Sequence, residues 1–167
     1  MYLRLLRPFG ARNDDSSVMK FLLTKELGRL AKWLRILGFD VKYFKEGNVG
    51  SLVIEALRDE RIILTRNHHL PKSSGVKILI LEAERIKEQI PEILKALKLI
   101  PAPDKMFTRC TICNEELVDI EKEKVRDRVP DYVYKTQEEF ITCPKCKRIY
   151  WQGTHWGNVQ KMLEEIK

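Results

Sequence analysis

No stretch of this sequence approaches the roughly 18 apolar residues that a membrane span requires, so no membrane partner is expected. Residues 1–18, MYLRLLRPFGARNDDSSV, lack the long apolar core and small-residue cleavage site of a secretory signal. Met19 directly precedes the first predicted strand, so these residues are expected to be a flexible leader or an upstream start-site assignment that carries no fold. There is no internal repeat and no low-complexity segment. Cysteine is scarce: there are four, all between positions 110 and 146. Without a secretory signal, and in pairs too tight for ordinary staples, they do not read as a disulfide framework. Acidic residues fall short of basic ones, 24 against 31, leaving a net charge of +7. That balance favours a polyanionic partner, with nucleic acid first, in a cytoplasmic protein. The 167 residues, 44% of them hydrophobic, suit one medium domain and a small second one.

The most informative stretch runs from Met19 to Asp40, MKFLLTKELGRLAKWLRILGFD. Phe21-Leu22-Leu23 is an apolar run too short for a helix and reads as a strand. Leu27, Leu30, Ala31, Leu34 and Leu37 then recur at three- and four-residue spacing, which places them on one stripe of a helix. Lys25, Arg29 and Lys32 fall on the opposite face, with Arg35 beside them. Gly38 supplies the helix stop. Further strands are predicted at Val41–Phe44, Arg61–Thr65 and Val76–Leu81, with helices at Leu52–Glu60 and at Glu82–Lys98, the last interrupted or restarted at Pro91. Strands alternating with helices at this spacing indicate a parallel sheet with right-handed crossovers over residues 19–100. Ligands of such sheets bind at the carboxyl ends of the strands, beginning here at Thr24.

Beyond the Ile100–Pro103 linker, Cys110-Thr-Ile-Cys113 and Cys143-Pro-Lys-Cys146 form two CxxC knuckles. Four thiolates so arranged suit one tetrahedral zinc ion in a structural site with no open position. The expected ribbon spans 104–156, with Val133–Thr136 and Glu139–Thr142 as strands, followed by a C-terminal helix over 157–167. His155 reads as a surface or packed imidazole between Trp151 and Trp156 rather than a ligand. Lys145, Lys147 and Arg148 surround the second knuckle, with Tyr150 and Trp151 close by. Basic residues interleaved with aromatics suit backbone pairing and stacking on RNA.

The segments KFLLTKELGRLAKWLRILGFDV, EALRDERIILTRNHHL, RCTICNEEL, DRVPDYVY and EEFITCPKCKRIYWQGTHW together resemble the Mut seven C-terminal RNase domain family. The resemblance implies a PIN-like nuclease fold, a parallel sheet flanked by helices, fused to a small β zinc ribbon. It also implies an RNA substrate, such as ribosomal RNA, and divalent-metal hydrolysis by acidic side chains at strand ends. At the three positions where the family carries those acids, this chain has Thr24, Asn48 and Asn67. A hydroxyl or amide oxygen can fill a coordination position but brings no charge, so Mg²⁺ or Mn²⁺ chemistry is not expected here. The same loss of charge removes repulsion toward RNA phosphate.

The sequence therefore reads as an RNA-binding pseudoenzyme on a nuclease-derived scaffold. Its expected contacts are Lys25, Arg29, Lys32, Arg35, Arg66, Lys145, Lys147 and Arg148, with ribosomal RNA or a ribosomal subunit as partner. The alternatives are an active metal-dependent endoribonuclease, or one assisted by His68 and His69, and a protein-interaction or regulatory module.

Overall fold

The computed structural model describes residues 19–70 and 75–153, with Val159, Lys161 and Glu164 beyond them. The expected leader, the Pro71–Ser74 loop, His155, Trp156 and most of the expected C-terminal helix lie outside the described residues. The rest falls into two compact units that divide between Asn114 and Glu115.

The first unit is a four-stranded parallel sheet in the order β2-β1-β3-β4. Its strands are β1 (Lys20–Leu23), β2 (Asp40–Tyr43), β3 (Ile62–Thr65) and β4 (Ile78–Ile80). Phe21, Leu22 and Leu23 have no exposed surface, as a strand buried on both faces and paired on both edges requires. Side chains alternate across the sheet. Leu22 and Ile63, in register on adjacent strands, pack with Leu52, Ala56 and Leu70 beneath α2 (Val49–Arg58). Phe21 meets Phe39 edge-on at 5.6 Å between ring centroids.

The first helix opens as a 3₁₀ turn over Lys25–Leu27 before α1 proper, Gly28–Ile36. The predicted stripe is all buried: Leu27, Leu30, Ala31, Leu34 and Leu37. α1 lies along β2 and against α3 (Ile86–Leu97), which runs through Pro91 without a break. Gly38 ends the first helix at φ +91, where a side chain is strained, and a Cβ there would lie 2.3 Å from the Lys105 carbonyl oxygen. That close approach belongs to a segment tied back onto α1, where the Phe107 amide donates to the Ile36 carbonyl at 2.8 Å.

Because β1 connects outward to β2 through α1, while α2 carries the chain back to β3 on the other side, the connections reverse direction between β1 and β3. In open α/β sheets that reversal opens a crevice at the carboxyl ends of the two strands. Thr24 follows β1 and Thr65 closes β3 at this position.

The second unit has an antiparallel sheet, β5-β6-β7, of Val118–Ile120, Phe140–Thr142 and Ile149–Trp151. The expectation of a strand at Val133–Thr136 is corrected: Asp131–Thr136 is a helix, α4, entered from Pro130 with Asp131 in its first turn. Val125, Val129 and Val133, four residues apart, pack with Phe140 in the core, and Trp151 joins them. The acid at the helix start and the packing of Val133 on Phe140 outweigh the strand-like composition of Val-Tyr-Lys-Thr.

Gly38→Ala should lower the urea unfolding midpoint followed by circular dichroism, by more than about 1 kcal/mol in stability. Gly75→Ala, at φ +91 but with nothing nearer than Leu57 at 3.7 Å, should cost less.

Candidate nucleic-acid crevice and cysteine centre

At the carboxyl ends of β1 and β3 the described polar groups converge on a residue that sequence reasoning passed over, Glu26. Its Oε1 accepts hydrogen bonds from Thr24 Oγ1 at 2.5 Å, Thr65 Oγ1 at 3.0 Å and the Arg66 amide at 3.0 Å. Partial burial would raise the Glu26 carboxyl. The hydrogen bonds from Thr24, the Arg66 amide and Thr65 outweigh it and hold the group below the ordinary carboxylate value. Thr65 is fully buried, and its hydroxyl oxygen accepts from the Asn67 amide at 3.1 Å and stands 2.9 Å from the Thr24 hydroxyl. The signal for Glu26 was its position alone, two residues past a strand end that lacks an acid.

The Thr24 hydroxyl and the Asn67 backbone amide thus meet at the Thr65 hydroxyl, while the Asn67 side chain does not join them. Asn48 does a different job: it caps α2, its Oδ1 accepting from the Ser51 amide at 2.9 Å. Asn67 Oδ1 accepts from the His69 amide at 3.0 Å, which closes the loop beyond β3. His68 lies 3.6 Å from Glu82, and both are largely exposed.

Of the cations singled out in the first unit, Lys25, Arg29 and Lys32 are exposed. Arg66 is half-buried. One terminal nitrogen pairs with Glu84 at 2.8 Å, and its enclosed Nε has no acceptor among the described residues. Arg35 does not belong with them. It is 6% exposed, and its guanidinium donates to the Val41 carbonyl at 3.0 and 2.8 Å and to the Thr111 and Ile112 carbonyls at 2.9 Å each. It is a clamp that fastens the first knuckle to β2, not a phosphate contact.

Asn114 extends the same clamp. Its side-chain oxygen accepts from the Val41 amide at 2.8 Å, and its side-chain nitrogen donates to Asp40 Oδ1 at 2.8 Å. Asp40, at the amino end of β2, also receives Arg61 at 2.6 Å. Burial would raise its carboxyl, but the Arg61 and Asn114 hydrogen bonds, with the charges of Arg61 and Arg109, hold it below the usual value. On the second unit, Lys145, Lys147 and Arg148 are exposed beside the second knuckle.

The two knuckles share a backbone design. Asn114 N donates to Cys110 O and Lys147 N to Cys143 O, both at 2.9 Å. Asn114 and Lys147 both take the left-handed conformation, φ 69 and 60, which turns the chain after each second cysteine. The four sulfurs all lie within 4.8 Å of one another, and none is in a disulfide. Four thiols so grouped fit one soft, tetrahedral ion such as zinc, and with four protein ligands its part would be structural.

The described residues thus form a four-stranded parallel α/β sheet with polar groups gathered at its switch point, and four cysteines grouped so that they could hold a metal ion. The sequence profile of the Mut7-C RNAse domain matches residues 19–163, and the chain belongs to that family. No curated protein and no solved structure matches it. Membership makes this a nuclease-related domain that acts on RNA. Among the described residues no helix is long and apolar enough to cross a membrane.

Arg35→Lys, whose single ammonium cannot reach Val41 and both knuckle carbonyls together, should lower zinc affinity about 10–100-fold in competition with a chromophoric chelator. Asp40, held below its unfolded value, stabilises the fold above that value and ceases to do so as pH falls through the folded one. The unfolding midpoint of the wild type should therefore drop more steeply below about pH 4 than that of Asp40→Asn.

Proposed function

We propose that the protein binds structured RNA on a nuclease-derived crevice that has lost most of its metal-holding charge. A cytoplasmic ribosomal RNA or ribosomal particle is the first partner to test. The observation that carries this reading is the chemistry at the ends of β1 and β3. The groups gathered there are two hydroxyls and two backbone amides, around the Glu26 carboxylate, whose Oε1 already accepts three hydrogen bonds. Magnesium and manganese are held by anionic oxygens, and a two-metal site needs several of them. This donor set does not fit a pair of such ions. It does fit an anion, and exposed Lys25, Arg29 and Lys32 lie on the element that leaves the crevice. Phosphate contacts of this kind position RNA without reading its sequence. The exposed Lys145, Lys147 and Arg148 of the second unit supply further contacts of the same class.

A second reading, a metal-dependent endoribonuclease, is favoured by one observation. Glu26 keeps a negative charge at the switch point, and its Oε2 carries none of the hydrogen bonds described above. One carboxylate with substrate phosphate can hold a hydrated ion.

The two readings separate in one assay. With labelled structured RNA and Mn²⁺, the wild type should leave the RNA intact, whereas Thr24→Asp/Asn67→Asp should cleave it. Wild-type cleavage that Glu26→Gln abolishes would establish the endoribonuclease instead. Filter binding over a salt series should give a log–log slope of about −3, if Lys25, Arg29, Lys32 and Arg66 each meet one phosphate of a single strand. Weak binding that is insensitive to salt would point to a protein partner.

A further inference from the structure

Where this family's fold would gather acids to hold a cation, this chain gathers donors. Thr24 Oγ1, Thr65 Oγ1 and the Arg66 amide all point at one oxygen atom, and the atom they meet belongs to an anion, the Glu26 carboxylate. Each donor is held by something other than Glu26. The Thr24 amide donates to the Leu64 carbonyl at 3.2 Å, and the Thr65 carbonyl accepts from Leu81 at 2.8 Å. Thr65 Oγ1 accepts from the Asn67 amide at 3.1 Å and has the Glu26 Oε1 as acceptor for its own proton at 3.0 Å. The donors therefore form a rigid cradle on strand ends. Glu26, by contrast, is exposed and belongs to a three-residue 3₁₀ turn. It reaches the cradle only through a flexible side chain, whose rotation would vacate the position without moving β1 or β3.

From this we infer that Thr24, Thr65 and the Arg66 amide form a binding site for one phosphate oxygen, which the Glu26 carboxylate occupies until an RNA phosphate displaces it. The inference rests on the RNA-binding reading and adds to it the seat of the phosphate and an internal competitor for that seat. Displacing Glu26 leaves its charge beside the incoming phosphate, a repulsion that the phosphate must overcome. An internal competitor reduces apparent affinity by the fraction of molecules whose site is open. A cradle filled nine times in ten by Glu26 would weaken phosphate binding about tenfold.

The experiment is a comparison of wild type, Glu26→Ala, Glu26→Gln, Thr24→Val and Glu26→Ala/Thr24→Val, each measured against single-stranded RNA and against inorganic phosphate. Glu26→Ala should bind RNA about tenfold more tightly than wild type. Glu26→Gln, which keeps an acceptor but loses the charge, should fall between them. Thr24→Val in the Glu26→Ala background should remove most of the gain. A gain that survives Thr24→Val would mean only that a repelling charge had been removed, and would overturn the cradle. So would an unchanged affinity in Glu26→Ala.

Inorganic phosphate followed by the amide resonance of Arg66 supplies an arm independent of RNA. The resonance should shift at lower phosphate concentration in Glu26→Ala than in wild type. A shift there with no RNA binding by any variant would sink the RNA-binding reading and leave the cradle standing. RNA binding with an Arg66 amide indifferent to phosphate in Glu26→Ala would do the reverse.

Discussion

Everything at the crevice depends on the pairing of β1 with both β2 and β3. Phe21-Leu22-Leu23 is fully buried and hydrogen-bonded on either side, so it cannot slip by one residue without drawing Lys20 or Thr24 into a fully buried position. That register fixes Thr24 one residue past the strand and sets it 2.9 Å from Thr65. A pair of hydroxyls on adjacent parallel strands is a precise device only because the backbones beneath them are immovable. The strand that carries no chemistry positions the groups that do.

The sign of the electrostatics follows from what those strand ends display. Carboxylates at such a crevice favour cations, whereas hydroxyl and amide hydrogens favour anions, and low solvent access strengthens either preference. Here the Glu26 carboxylate is drawn in by donors, and its proton affinity falls because of them. At the opposite, amino end of the sheet the same logic serves stability. Asp40 and Arg61 pair beside Asn114, and Asp59 is held far below its ordinary value by Arg58 and Lys42. The Asp40–Arg61 pair thus sits at the opposite end of the strands from the donors of Thr24 and Thr65.

Much of this was legible in the sequence. The strand–helix alternation, the buried stripe from Leu27 to Leu37, the helix stop at Gly38 and the grouping of the four cysteines all rest on local spacing, which sequence carries well. Arg35 was not legible, although a hint was present. It sits three residues after exposed Lys32 but four after buried Ala31, so it borders both faces. What decides its direction is a row of carbonyls at Val41, Thr111 and Ile112, and carbonyls leave no trace in a side-chain pattern. Glu26 was hidden for a similar reason: its neighbours Thr65 and Arg66 are 39 and 40 residues away. At Val133 the signal was Asp131 directly after Pro130, an acid in the first turn of a helix. The β-branched and aromatic composition of that segment masked it.

The sheet's two margins bear on how accessible such an apolar centre is to other strands. One margin is β4, only three residues long, and the other is β2, four residues with Lys42 in its middle, bonded to Asp59. A brief row of backbone groups, or one carrying an ammonium, is a poor template for a foreign strand. The chain can therefore concentrate its most aggregation-prone tripeptide at the centre of the sheet while offering passing polypeptides very little to zip onto.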